Sequence, residues 1–289
     1  MLVGDNPFHG ISHLSQDRAI ARGNKICNVD HAAKLVLASL ENGAEGFMFS
    51  VSETTLSILK VVNESVADLA IHAIVPYAYE YVRLATHLGI SGLARKLGKE
   101  IFLSGNMRAI ITGLKGITRI NIEDLMKTYL LYEISRIKKT SSKQQNLKSI
   151  LLHEIITDMA VALELDWFFA SYIDFLIRLK IRPGFETRNF VYLVNKFNDW
   201  NIDFSKITIL APFNKMGFQM NPSKIKCEKI LSSLQDSNVI AMSILAAGYL
   251  NLPEATEYLR DLPNIRSIVV GVSKDHHARE TFKFLSERL

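Results

Sequence analysis

The sequence predicts an α/β barrel of eight parallel strands, each followed by a helix, as a single domain over residues 1–289. Two observations favour this fold class. Short apolar runs, which suit parallel strands buried on both faces, alternate with amphipathic helical stretches along the chain. A barrel of this class takes ~250 residues, so the chain has room for the barrel and one insertion.

The strands are identified by their apolar runs and by the turn residues that end them. The third run ends at Pro76, and the last one ends at Gly271 and Ser273. In chain order, the strands are expected at residues 1–3, 46–51, 69–75, 149–154, 182–187, 207–212, 238–250 and 264–273.

Capping residues mark where the helices between these strands begin and end. Asp30 is expected to cap the first helix, Asn42 and Gly43 to end it, and Asn121 to cap a strongly amphipathic one. Pro253 stands where a first helical turn tolerates proline. The helices are expected at residues 30–40, 53–62, 122–137, 163–180, from 188 onward, 222–234, 251–263 and 275–289.

The stretch between the third and fourth strands is too long for one barrel helix. We interpret residues 88–139 as a helical insertion, because apolar helical pieces lead up to the amphipathic helix at 122–137. The insertion leaves the barrel where a strand ends. It is therefore expected to form a helical cap over the carboxyl-terminal mouth, where it would exclude water and shape specificity.

The sequence argues against a secreted protein and against a membrane-spanning one. The N-terminus has no basic and apolar leader, so no signal peptide is expected, and no apolar run is long enough to span a membrane. Cys27 and Cys227 form no CxxC pair and resemble reduced cysteines, so a cytoplasmic location is expected.

Charge and apolar patterning bear on the expected partners. The net charge is +5, and residues 83–148 carry 13 Lys and Arg against 4 Asp and Glu. This segment has no RNA-binding motif, so a solvated basic surface is expected and nucleic acid is not an expected partner. The apolar helix at 163–180 is expected under the insertion or in a contact between copies, which would make the protein a homo-oligomer.

Polar groups collect where the strands end, which is where barrels of this class place their active sites. They are Asp5, Asn6, His9, Glu53, Tyr77, His153, Glu154, Glu186, Arg188, Asn214, Lys215, Gln219, Ser273 and Lys274. Those predicted to contact a small-molecule substrate are Asp5, Asn6, His9, Glu53 and Asn214. Two alternatives stay open: Asp5 or Asn6 closes an Asx turn on its own backbone, or Glu53 only complements a helix dipole.

No metal site is predicted. The run from His153 to Asp158, HEIITD, lacks the second histidine of the HExxH zinc motif, and a strand is expected there. His9, His153 and Glu186 are conceivable metal ligands, but no ligand spacing supports them.

Four segments in order resemble the aldo-keto reductase superfamily. They are ILLHE at 150–154, GFETRNF at 184–190, SILAAGYL at 243–250 and VVGVSKDHHARETFKFL at 269–285. They are similar to that family's fourth strand with its terminal histidine, its fifth-strand turn, its seventh-strand exit and its final cofactor loop. The resemblance covers residues 149–289 and implies an α/β barrel with reductase activity that uses NADP.

The resemblance carries over to individual residues only in part. His153 matches the family's active-site histidine, and Asn189 matches the asparagine that contacts the nicotinamide amide. The family's aspartate and tyrosine should follow the second strand and its lysine should end the third, but this chain has none of them there. Tyr77 or Tyr79 could replace the missing acid, although neither lies in a matching motif. The positions that match the cofactor's phosphate loop are Gly271, Ser273, Lys274 and Arg279.

The function implied by the resemblance is NADP-linked reduction of a small polar or phosphorylated metabolite. One alternative is a Schiff-base aldolase or lyase, because Lys215 follows the sixth strand among apolar neighbours that could desolvate it. Lys215 could also be a surface or anion-binding lysine. Another alternative is a barrel that binds ligands without turnover. The predicted catalytic residues are His153, Lys215, Glu186 and Tyr77.

Overall fold

The computed structural model describes residues 1–9, 28–66, 68–77, 121–140 and 146–289. Within these ranges, eight parallel strands form a closed barrel in chain order, and the last strand pairs with the first, with Leu2 opposite Val269. The predicted fold class is therefore confirmed. The strands are β1 Leu2–Gly4, β2 Gly46–Ser50, β3 Ala70–Val75, β4 Asn146–Leu152, β5 Arg182–Glu186, β6 Thr208–Pro212, β7 Asn238–Met242 and β8 Ile265–Gly271.

Helices follow the strands and form the outer layer. In the described ranges they are α1 Val29–Glu41, α2 Glu53–Ser65, α3 Ile122–Lys138, α4 Glu154–Ala162, α5 Asp166–Arg178, α6 Phe190–Asp199, α7 Lys224–Ser233, α8 Leu252–Arg260 and α9 Asp275–Ser286. Asn121 caps α3 as predicted, since its side chain accepts the N–H of Glu123 at 3.0 Å. Asn28 rather than Asp30 caps α1. None of the described helices is both long and apolar enough to cross a membrane.

The strands separate two hydrophobic cores. Side chains that point into the barrel fill its interior; they are Leu2, Met48, Ile74, Leu151, Leu210, Ile240 and Met242. Their neighbours along the strands, such as Val3 and Phe47, point outward into the larger core under the helices. A Cβ at Gly184 would lie 2.5 Å from the Cγ of Leu151, so only glycine fits there. Because the interior is filled, a ligand can enter only at an end of the barrel.

The boundary between β4 and α4 differs from the prediction. β4 ends at Leu152, so the strand predicted through residue 154 was wrong at its end, and Glu154 begins a helix. The physical reason is a cap: the ring Nδ1 of His153 accepts the N–H of Ile155 at 3.2 Å, which starts the helix directly after the strand.

Two other predicted elements are shorter than expected. β7 ends at Met242 rather than at residue 250, because Ser243 has a left-handed backbone (φ 55°) that a strand cannot continue through. The helix predicted at 163–180 begins only at Asp166, after α4 and a short turn. α5 exposes Trp167 (43%) and Ile177 (41%), but the homo-oligomer expected from its apolar surface stays a prediction.

The predicted cap over 88–139 falls mostly outside the described residues, because only 121–139 of it is described. This part contains α3, which is helical as predicted. α3 places Leu130 and Ile134 in the outer core, and Thr140 behind it lies 3.3 Å from the side chain of Asn63 in α2. α3 thus packs against the barrel wall, and a cap over the mouth stays a prediction.

Candidate active site

A cavity of about 440 Å³ opens at the carboxyl ends of the strands. Its wall combines apolar side chains of the inner core with polar groups from the strand exits. The predicted residues that line it are Asp5, Asn6, Tyr77, His153, Glu154, Glu186, Arg188, Gln219 and Gly271. The cavity is large enough for a small metabolite, and it is the candidate active site.

Glu154, Glu186 and Arg188 form the charged centre of this cavity. Glu186 is the last residue of β5 and is only 8% exposed. Its Oε2 accepts the backbone N–H of Glu154 at 3.3 Å. Arg188 follows two residues later, and its Nε donates a hydrogen bond to the carboxylate of Glu154. The end of β5 and the start of α4 therefore bring two carboxyl groups and one guanidinium together.

Burial and the neighbouring charged groups set the charge state of Glu186. Burial, and after it the nearby charge of Glu154, raises the pKa of Glu186 from 4.5 to about 8, with a smaller contribution from Asp5. The guanidinium of Arg188 and the N–H of Glu154 act in the opposite direction. At neutral pH the Glu186 carboxyl therefore carries a proton and can donate it.

His153 also lines the cavity, from the N-cap of α4. Since its Nδ1 accepts the N–H of Ile155, the proton of the neutral ring lies on Nε2. Burial lowers the pKa of His153, and the charge of Arg188 lowers it further, while Glu154 and Asp5 oppose this. His153 is therefore a neutral donor at pH 7, as expected for a group that orients a substrate oxygen.

Asp5, His9 and Tyr77 form a second polar group, from β1 and β3, across the barrel from β5. Oδ2 of the buried Asp5 accepts the N–H of Ser50 at 2.8 Å and bonds Nε2 of His9 at 3.0 Å. The His9 and Tyr77 rings are 4.8 Å apart between centroids. The Asp5 side chain thus bonds a neighbouring strand rather than closing an Asx turn. Asn6 is exposed and lines the cavity beside it.

Asp158 fixes the turn that carries Arg188, and the sequence analysis missed it. Its carboxylate accepts the Thr187 hydroxyl at 2.5 Å, the N–H of Arg188 at 3.3 Å and the Asn189 amide at 2.9 Å. Burial raises the pKa of Asp158, and these hydrogen bonds oppose the rise. Asp158 follows Glu154 by four residues, which on a helix places both on one face. That spacing was the available signal, but a strand was expected there.

Gln219 and Ser243 hold the other side of Arg188. Its Nη1 donates to Oε1 of Gln219 at 2.5 Å and approaches Oγ of Ser243 at 3.5 Å. Both residues follow strands, β6 and β7, and both have left-handed backbones, with φ of 61° and 55°. Gln219 was among the predicted strand-end groups, whereas Ser243 was not.

Four predicted contacts do not line the cavity, and one of them, His9, bonds Asp5 instead. The buried Asn214 bonds its own loop, through the N–H (2.8 Å) and the carbonyl (2.9 Å) of Phe218. The side chain of Glu53 is 82% exposed and pairs with Arg136 at 2.7 Å. Asn189 bonds Asp158 rather than the cavity. The substrate contacts predicted for Glu53 and Asn214 thus have no support in this geometry.

The expectation that apolar neighbours desolvate Lys215 is not met. Its side chain is 50% exposed, lies 3.9 Å from Glu257 and does not line the cavity. The loop after β6 directs it outward, because Asn214 closes that loop on itself. The aldolase alternative loses its physical basis, since imine chemistry at neutral pH needs a desolvated amine.

The predicted phosphate loop is also outside the cavity, apart from Gly271. A Cβ at Gly271 would lie 2.7 Å from Pro7, so the turn after β1 covers the end of β8. Lys274 is exposed at the N-cap of α9. Arg279 bonds Asp275 at 3.1 Å and Glu41 at 3.4 Å on the surface. Phosphate binding by this loop stays a prediction.

Comparison with known proteins supports the fold. No protein-family model matches the chain, and no curated protein matches it by sequence. Two solved structures from Pseudomonas aeruginosa, each described provisionally as an aldo-keto reductase, are similar to it with a TM-score of 0.58. They are 11% and 10% identical, and each alignment covers 99% of this chain and 89% of the other. The likeness confirms the eight-stranded α/β barrel fold and leaves the activity to the site itself.

Proposed function

We propose that this protein is an enzyme that transfers protons on a small polar metabolite held in the mouth cavity. The observation that carries the proposal is the state of Glu186, a carboxyl group in the cavity wall with a pKa of about 8. A carboxyl group that keeps its proton at neutral pH can act as a general acid where an ordinary glutamate cannot.

Asp5 is the base that completes the pair. Its Oδ2 is held by Ser50 and His9, while its Oδ1 has no hydrogen-bond partner among the described residues. It lines the cavity at the exit of β1, opposite β5. Glu186 donates a proton on one side of the substrate and Asp5 accepts one on the other. His153 contributes a neutral Nε2–H to the same wall.

The reaction class that uses these groups is proton transfer next to a carbonyl. Asp5 takes a proton from the carbon beside the carbonyl, while Glu186 gives a proton to the carbonyl oxygen. The product of this step is an enol, from which an isomerisation or an elimination proceeds. The substrate is neither oxidised nor reduced in this step.

Hydrogen exchange with solvent tests this proposal without knowledge of the full reaction. The protein is incubated in D2O with a panel of hydroxyketones, 2-hydroxy acids and 2-oxo acids, and deuterium beside the carbonyl is followed by NMR. At least one compound should exchange with the native protein, and Glu186→Gln and Asp5→Asn should each lower the rate of exchange about 10²- to 10⁴-fold. Lys215→Gln, outside the cavity, should leave it unchanged. Binding without any exchange would instead favour a ligand-binding barrel without turnover.

NADP-linked reduction is the second candidate, and the fold shared with proteins described as aldo-keto reductases favours it. The predicted NADP residues fit the cofactor only in part. Lys274 is exposed and could meet a phosphate, but Arg279 is already paired with two carboxylates and Asn189 with Asp158. The proton transfer by Asp5 and Glu186 does not depend on NADP.

A fluorescence titration with NADPH decides between the candidates. Binding that Lys274→Ala weakens, together with oxidation of NADPH by a carbonyl compound, would favour the reductase. Absence of binding at millimolar NADPH would remove that candidate and leave the proton-transfer enzyme.

A further inference from the structure

We infer that the substrate carries a carboxylate and that Arg188 binds it, in a subsite formed with Gln219 and Ser243. The inference rests on the proposed function, because it names the substrate class for the same cavity. The cations predicted from the sequence as binding or catalytic groups, Lys215, Lys274 and Arg279, do not line this cavity.

Arg188 has hydrogen-bond donors left for a ligand. Its Nε donates to Glu154, and its Nη1 is directed to Gln219 and Ser243. Its Nη2 has no hydrogen-bond partner in the part of the chain that the structure describes. The side chain lines the cavity and is 19% exposed. Nη2 can therefore donate to a bound anion, and the Ser243 hydroxyl can add a second hydrogen bond.

The surroundings hold the guanidinium in place before any ligand arrives. The backbone N–H of Arg188 is fixed by Asp158, and its side chain is fixed by Glu154 and Gln219. Gln219 and Ser243 adopt left-handed backbones, which non-glycine residues avoid unless the surroundings impose them. Such strained positions collect at ligand sites, and a preorganised donor loses little entropy on binding.

The charge balance of the cavity selects a carboxylate over a phosphate. Arg188 is its single described cation with a fixed charge, and it is already paired with Glu154, while Asp5 adds another carboxylate. A phosphate monoester would bring about −1.5 to −2 charges at pH 7, more than one shared guanidinium offsets. A carboxylate brings one negative charge, and the Nη2 of Arg188 and the Ser243 hydroxyl can each donate to one of its oxygens.

A carboxylate on Arg188 also favours the acid form of Glu186. The positive charge of Arg188 opposes the raised pKa of Glu186, and a bound anion offsets that charge. Glu154 and Asp5 raise the pKa in any case, so the substrate would bind with the neighbouring acid protonated. Arg188 and Glu186 thus act together on one substrate molecule.

Calorimetric titration at pH 7 and low salt tests the inference with pyruvate, its uncharged analogue pyruvamide, and inorganic phosphate. Pyruvate should bind, and pyruvamide and phosphate should bind at least about tenfold more weakly. The double variant Arg188→Gln/Glu154→Gln keeps the charge balance and should lose about 10- to 100-fold in pyruvate affinity. Lys215→Gln removes one positive charge outside the cavity and should have no effect.

Glu154→Gln gives the sharpest test, because it removes the anion that competes for Arg188. This variant should bind pyruvate several-fold more tightly and should bind phosphate better than the native protein does. Weaker pyruvate binding by Glu154→Gln, equal binding of pyruvamide, or no pyruvate binding at millimolar concentration would each overturn the inference. If pyruvate binding gives one of these results while the pKa of Glu186 is still near 8, the proposed acid stands and only the carboxylate subsite is wrong. A Glu186 pKa near 4.5 would remove the proposed function itself.

Discussion

The exits of β4 and β5 and the exit of β8 lie at the same end of the barrel, yet they present their polar residues differently. At β4 and β5, both Glu154 and Glu186 line the cavity. The Glu186 carboxylate accepts the backbone N–H of Glu154, and the Glu154 carboxylate accepts a hydrogen bond from Arg188. At β8 only Gly271 reaches the cavity, while Lys274 is exposed on the outside.

The residues directly after each strand cause this difference. α4 begins directly after β4 with His153 as its cap, so its first side chain stays at the mouth. The end of β8 is covered by Pro7, and its polar residues come two or more positions later. A polar residue near a strand end is therefore a site candidate only if it comes before the chain turns away from the cavity. Variants at the exits of β4 and β5 should therefore have larger effects than variants at the exit of β8.

The largest effect is expected at Glu186. Glu186→Gln keeps the shape of the side chain but removes the proton that it donates, so substrate exchange with solvent should fall about 10²- to 10⁴-fold. Exchange rates in D2O measure this. Glu257→Gln, an exposed glutamate outside the cavity, is the matched control. A loss of less than about twofold at Glu186 would contradict its role as the acid.

Stability should depend on pH through the same residue. Because burial raises the pKa of Glu186 from 4.5 to about 8, its protonated form stabilises the fold fully below pH 4.5, and this contribution is lost as the pH rises towards 8. Glu186→Gln stays uncharged. It should match the native protein near pH 4.5 and exceed its free energy of unfolding at pH 9 by a few kcal/mol, on the order of 1.4 kcal/mol per pH unit crossed.

Urea unfolding of both proteins across this range measures the difference. Other titrating groups, such as His153 and Asp158, are present in both proteins and cancel in the comparison. If the free energies of unfolding of the two proteins changed in parallel with pH, Glu186 would ionise as readily in the folded protein as in the unfolded chain.

The strand pattern was predictable from the sequence because the strands are buried on both faces and therefore apolar throughout. Phe47 and Val3 face the helices while Leu2 and Met48 fill the barrel, so each run stands out. The end of β7 was not predictable, because it depends on the left-handed backbone of Ser243, in a run that stays apolar.

The site was predictable only in part, for a similar reason. Position after a strand was enough to find Glu186 and His153. It was not enough for Asn214, whose side chain closes a loop on Phe218, since that fold-back depends on tertiary geometry. Asp158 lies four residues after Glu154, and this helical spacing has meaning only once α4 is known to begin at Glu154.

A smaller effect is expected at Asp158, which positions Arg188 without lining the cavity. Asp158→Asn should keep one or two of its three hydrogen bonds. It should weaken pyruvate binding about three- to tenfold and destabilise the fold by about 1 kcal/mol. Calorimetry and urea unfolding measure the two effects. A change in stability without a change in binding would make Asp158 a structural residue only.

The smallest effects are expected at the exit of β8. Lys274→Ala and Arg279→Ala change exposed side chains, and the ion pairs of Arg279 are on the surface. Each should change the free energy of unfolding by no more than about 0.5 kcal/mol and leave solvent exchange unchanged. A loss of exchange in either variant would show that the β8 side takes part in the chemistry after all.

The pKa of Glu186 tests the central claim most directly. A ¹³C NMR titration of the glutamate carboxyl groups, with the signal assigned through Glu186→Gln, should give a midpoint near 8. Glu154→Gln should lower that midpoint, because the charge of Glu154 contributes to the raised pKa. A midpoint near 4.5 that Glu154→Gln leaves unchanged would contradict a protonated acid in the cavity, and with it the proposed proton transfer.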